Sequence, residues 1–223
     1  MNRRLPFLTF GVVAMAALTF ASPTMNDAAV FDREQIFAGQ FWRLFTCHWA
    51  HHSTTHLLWN IGVVMVAGGF FEQNSRRGWL LCFALSCVVI GPGLFVLESG
   101  LAVYAGLSGL ASAFVMALVL WKLRVRAQPA WIWWTLVLLV LAKTAFDVFS
   151  SGPFFVSFEQ SAIRNVPMAH ALGMVAGWAS HCFTDKAGSI SRPRKCPDSK
   201  FTGCHRTQTR RWWSASGCSE PNI

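Results

Sequence analysis

The stretch "HWAHHSTTHLLWNIGVVMVAGGF", residues 48–70, decides how this chain is read. It opens with four of the chain's seven histidines and runs without a break into an apolar segment. His56 and Asn60 stand four residues apart at the mouth of that segment, hence on one face of a helix. Polar side chains in such a place are costly unless something partners or uses them. Crossing a bilayer takes roughly 20 mostly apolar residues. The segment after His56 is long enough to do so, which turns attention to the rest of the chain.

Of 223 residues, 53% are hydrophobic and only 13% charged, against about a quarter charged in an ordinary soluble domain. Six apolar segments are of spanning length or close to it: about 5–22, 54–71, 79–97, 107–121, 131–149 and 167–183. The fourth reaches full length by continuing to about Arg124. The expected fold class is therefore an all-α membrane protein, with a six-helix membrane domain over 1–183 and a basic, disordered cytoplasmic tail over 184–223. The first segment, with Arg3 and Arg4 ahead of it and "TFASP" behind, also matches a cleaved signal peptide. Five further spans favour reading it as a retained helix.

Lys and Arg placement sets the orientation. With the N-terminus inside, fifteen of the nineteen basic residues fall in cytoplasmic segments, and only Arg33, Arg43 and Arg164 fall in outer loops. Basic loops beside anionic lipid account for the net charge of +9, and no nucleic-acid partner is called for. Lys143 lies within the fifth span, four residues from Asp147; the two read as opposite charges satisfying one another, with a proton relay or a small transporter as the other reading. Transport lacks the broken-helix pair or inverted repeat it would want. The seven cysteines form no disulfide framework, and Cys196, Cys204 and Cys218 match no common zinc spacing.

The second, fourth and sixth segments all run from outside to inside, and each carries polar residues near its outer end. The second has His56 and Asn60, the fourth has "GLSG" with Ser108, and the sixth has "PMAHALGMVAG" with His170. A helix rise of 1.5 Å per residue places these groups on the order of 5–10 Å below the outer surface. A serine hydroxyl is a weak nucleophile until a base takes its proton, and His170 is a base of the right type. No carboxylate lies near it in sequence, so the arrangement reads as a Ser–His dyad. His56, Asn60 and the Ser108 N–H are donors suited to a developing oxyanion. Gly109, Ala113 and Ala117 on one helix and Ala169, Gly173 and Gly177 on another repeat at a spacing that lets membrane helices approach closely. Each item alone has a bland reading: a serine bonding its own backbone, a packed histidine, an asparagine as interhelical glue. Their agreement in depth, side and chemical type favours acyl transfer.

Together, "WRLFTCHWAHHSTTHLLWN", "GLSG" and "AHALG" resemble the rhomboid intramembrane serine proteases over about 41–178. The matching positions are Trp42 and Arg43, His56 and Asn60, Glu72, Gly106, Ser108 and Gly109, and Ala169, His170 and Gly173. His51 also falls where rhomboids carry a histidine. The resemblance implies a six-transmembrane-helix rhomboid bundle with a water-filled cavity open to the outside. It implies Ser108 as nucleophile, His170 as base, and His56 with Asn60 as oxyanion donors. His51, Gly106, Gly109 and Gly173 support them. It implies transmembrane protein substrates, the bilayer as partner, and no cofactor or metal. The location implied is the inner membrane, with both termini cytoplasmic and the site opening to the periplasm. Within the family, the compact form and "YAGLSG" are similar to rhombosortases, which implies cleavage of C-terminal Gly-Gly sorting tails. Cys47 replaces a histidine found in many rhomboids, and Ser112 replaces an aromatic found in some. A rhomboid-like protein that binds membrane helices without cutting them is the alternative. The Phe-rich loop at 153–158 is expected to cap the site, and His51, His52 and His56 permit metal binding as a minor reading.

Overall fold

The computed structural model describes residues 5–126, 129–149 and 166–190, with side chains described except at 147–149 and 185–190. In chain order the elements are α1 (Phe7–Ala21), α2 (Pro23–Ala29), β1 (Phe31–Asp32), α3 (Arg33–Phe37), α4 (Arg43–Thr46) and α5 (Thr54–Val63). A π-helical turn (Val64–Gly68) joins α5 to α6 (Gly69–Asn74) in one continuous helix. There follow α7 (Arg76–Leu97), β2 (Val103–Tyr104), α8 (Ser108–Arg124), α9 (Ala130–Phe149) and α10 (Pro167–Ile190).

Each of the six apolar segments holds a helix. By length and hydropathy, Thr54–Asn74 and Arg76–Leu97 can each cross a bilayer, and α1 with α2, bent by 113°, adds a third if the pair is one span. Large apolar side chains such as Trp59, Phe70, Val88, Trp131, Leu138 and Trp178 are exposed on the helices. Exposure of this kind is a liability in water and the norm against lipid. The chain is a mostly helical membrane protein.

The α8 helix sits at the centre, against α10, α7, α9 and the π-helical turn. Its buried side chains run round the helix: Leu110, Ala113, Phe114, Ala117 and Val119. Trp79 of α7 stacks on Phe114 with ring centroids 5.1 Å apart. On the α10 side the contact is backbone to backbone. A Cβ at Gly173 would run into the Gly109 carbonyl, and one at Gly177 into that of Ala113. Small residues at four-residue spacing thus seat α10 directly on α8.

The π-helical turn brings Gly68 against the Phe114 ring, 3.2 Å from where a Cβ would stand. Widening the helix here presents the small Ala67–Gly68 face to α8. The start of α1 is tied down from a distance. Buried Glu72 accepts hydrogen bonds from Leu8 N at 3.0 Å, Thr9 N at 2.8 Å and Thr9 Oγ1 at 2.9 Å. Pro6 supplies no side-chain cap, so the carboxylate satisfies donors that would otherwise be orphaned and adds a favourable charge at a helix N-terminus. Val12 and Ala16 of α1 join the main core.

Ser22 and Pro23 end α1 and start α2, with Ser22 Oγ accepting from Met25 N at 3.5 Å. In the segment from 23 to 52, Phe37, Phe41, Trp42 and Phe45 are exposed. It also carries order that spacing did not suggest. Phe31 and Asp32 pair antiparallel with Tyr104 and Val103. Arg43 is buried and donates to the Asp27 and Val30 carbonyls at 2.6 and 2.7 Å. At the other end, α10 runs to Ile190, and within it Thr184 Oγ1 donates to Ser180 O at 3.0 Å. The expected tail beyond 190, the 153–158 cap and the side chain of Asp147 lie outside the described residues.

Candidate active site

The extended Ser53 caps α5: its Oγ accepts from His56 N at 3.2 Å. The cap fixes His56 in the first turn, with Asn60 one turn later on the same face, and both are buried. His51, in the connection just before this helix, is buried against them, its ring centroid 5.1 Å from that of His56. His51 Nδ1 lies 3.1 Å from the Trp49 carbonyl, which can only accept, so this nitrogen carries the hydrogen. The other nitrogen, Nε2, then accepts from Asn60 Nδ2 at 3.3 Å and from Leu107 N at 3.4 Å. Burial lowers the His51 pKa to about 4, with the Trp49 hydrogen bond opposing it, so the ring is neutral as that double acceptance demands.

The "GLSG" turn is seated on this group. Gly106 has φ +136, and a Cβ there would stand 2.6 Å from His56 Cε1 and 2.9 Å from its Nε2. Glycine is needed on both counts, the backbone conformation and the close approach to the ring. Gly106 N donates to the Cys47 carbonyl at 3.0 Å. Residue 47 therefore holds the turn through its backbone. Its thiol is buried, with its pKa pushed up by that burial.

Ser108 is the first residue of α8 and is half-buried. His170 lies in the first turn of α10, behind Pro167, and is buried. The glycine contacts between α8 and α10 pass through the turns that carry them: Gly109 faces the Ala169 carbonyl, 2.9 Å from the position of a Cβ, and Gly173 faces Gly109. The sequence-predicted residues thus converge from α5, α8 and α10 on one end of the bundle. Ser112 turns away from this chemistry and donates to the Ser108 carbonyl at 3.0 Å.

Sequence reasoning missed two residues. Asn26 of α2 holds the backbone of His51 on both sides, donating to its carbonyl at 3.0 Å and accepting from its N–H at 2.9 Å. Tyr104 donates to the Gly106 carbonyl at 3.1 Å. The only sequence signal was for Tyr104, which is the chain's single tyrosine and stands just before "AGLSG". His48, beside Cys47, is fully buried and neutral, its pKa lowered by burial to about 4. Among the described residues no three His, Cys, Asp or Glu side chains are placed to hold a metal ion.

Compared with known families, residues 38–184 match the model described as the rhomboid domain. No curated protein matches the chain.

Proposed function

Because the chain belongs to the rhomboid family, a family of intramembrane proteases, we propose that it is a serine endopeptidase that cuts membrane-anchored proteins near the outer face of the inner membrane. All six helices cross the bilayer in this reading, both termini are cytoplasmic, and the site opens to the periplasm. Ser108 Oγ attacks the scissile carbonyl carbon while His170 takes its proton. The carbonyl oxygen becomes an oxyanion held by His56, Asn60 and the Ser108 N–H. Asn60 has two amide hydrogens; one goes to His51 Nε2 and the other is left for the oxyanion. When the intermediate collapses, the peptide C–N bond breaks and His170 returns the proton to the leaving amine. Water then attacks the acyl-Ser108 ester, again with His170 as base, and releases the new carboxylate.

The observation that carries this reading is the seating of the Gly106–Ser108 turn on His51, His56 and Asn60. A transmembrane substrate must unwind locally, since a helix shields its carbonyls from attack. The subfamily resemblance supports C-terminal Gly-Gly sorting tails as the substrate class. The experiment is reconstitution with such a tail substrate, comparing wild type with Ser108→Ala and His170→Ala. Cleavage and fluorophosphonate labelling are expected in wild type alone. Cleavage that survives Ser108→Ala overturns the mechanism, and a wild type that binds the tail without cutting it supports the non-catalytic alternative.

A further inference from the structure

The start of α8 poses a problem that its own sequence does not solve. Its N-cap is Leu107, which makes no side-chain cap. The first N–H groups of a helix have no intrahelical partner, and leaving them unpaired in a buried setting is expensive. His51 Nε2 accepts from Leu107 N, which accounts for one. Tyr104 holds the turn that leads into the helix. Its ring is buried, 4% exposed, and its backbone is fixed opposite Phe31 in the β1–β2 pair. Its hydroxyl donates to the Gly106 carbonyl at 3.1 Å, two residues ahead of Ser108.

We propose that Tyr104 is a positioning residue for the nucleophile: its hydroxyl pins the turn ahead of α8 at the Gly106 carbonyl, and so fixes the direction in which Ser108 leaves the backbone. This rests on Ser108 being the nucleophile. Donation to that carbonyl needs a neutral phenol, and burial raises the Tyr104 pKa, with the nearby Cys47 thiol acting in the same sense. With Leu107 N–H taken by His51, the Ser108 N–H beside it is left to meet the oxyanion.

The test is Tyr104→Phe in the full chain in liposomes, which keeps the ring and removes only the hydroxyl. kcat and the rate of fluorophosphonate labelling are expected to fall together by about 10- to 100-fold, with KM within about twofold, since substrate binding is not what the hydroxyl serves. Ser75→Ala is the control. It deletes a cap of α7, where Ser75 Oγ accepts from Gly78 N at 3.2 Å, and is expected to lower the melting temperature while leaving kcat and labelling intact. A second readout needs no substitution. Because the chain has one tyrosine, uniform 3-fluorotyrosine labelling yields a single ¹⁹F resonance, expected to shift when fluorophosphonate modifies Ser108. Wild-type labelling with an undisturbed Tyr104→Phe rate, or a ¹⁹F signal indifferent to Ser108 modification, overturns the inference alone. A wild type that neither labels nor cleaves overturns it together with the serine-protease reading.

Discussion

The two halves of the candidate site are built by different means. Around His56 and Asn60 the parts are held by directional hydrogen bonds: Asn26 to His51, His51 to Asn60 and Leu107, Ser53 to His56. Around Ser108 and His170 the positioning between helices is steric, with Gly109, Gly173 and Gly177 letting α8 and α10 touch along their backbones. A hydrogen-bonded half fails when an atom changes its donor character. A close-packed half fails when volume is added. The same rate loss should therefore arise from opposite kinds of substitution on the two sides.

The largest effect is expected from Gly173→Val. The new Cβ meets the Gly109 carbonyl, which is backbone and cannot move aside as a side chain does. Overpacking typically costs about 1–3 kcal/mol and here falls at the upper end or beyond. Cleavage should be lost and the melting temperature lowered. Activity retained in Gly173→Val would show that helix proximity is not what aligns Ser108 with His170. On the other half, Asn60→Ala removes the proposed oxyanion donor and leaves His51 Nε2 one partner short. A fall in kcat of about 10²–10³-fold is expected, measured with KM. If KM alone moves, Asn60 binds substrate rather than the oxyanion.

The hydrogen-bonded half should also respond to acid. His48 and His51 have folded pKa values lowered to about 4 by burial, so the unfolded chain takes up their protons first. Stability from this source is complete above about pH 6.5 and is lost as the pH falls toward 4. Shifts of this size correspond to roughly 3 kcal/mol per residue at most. Thermal melts in detergent between pH 7 and 4 should show the decline, and His48→Phe should shrink it. An unchanged slope in that variant would mean that His48 does not titrate as its burial dictates. Ser112→Ala is expected to do least, within about 0.5 kcal/mol and about twofold in kcat, because Ser112 only bonds its own helix. A larger loss would mean that this position supports His170 after all.

These halves were not equally legible before the structure. Helices and their polar mouths follow from apolar run length and four-residue spacing, so Ser108, His170, His56 and Asn60 were found on the elements that carry them. The small-residue repeat predicted the α8–α10 approach for the same reason. What spacing cannot encode is a contact made by an irregular segment. Asn26 reaches His51 across 25 positions, and Tyr104 sits in a two-residue strand whose partner is Phe31. Neither belongs to a periodic pattern. The π-helical turn was hidden for another reason: it is set by Gly68 lying against Phe114 and Thr9, a fact of packing rather than of local preference.

Glu72 carries a consequence for the order of assembly. The donors it satisfies, at Leu8 and Thr9, are synthesised 64 and 63 residues before their acceptor. When α1 leaves the ribosome its first turn has no carboxylate to receive it, and water at the membrane surface must stand in. Only after the helix from Thr54 to Asn74 has been threaded can α1 lock in register, its first turn pinned by the far end of the next long helix. α1 is then fastened only once a later helix is in place, and a Glu72→Gln chain should insert normally yet leave α1 open to protease at its N-terminal end.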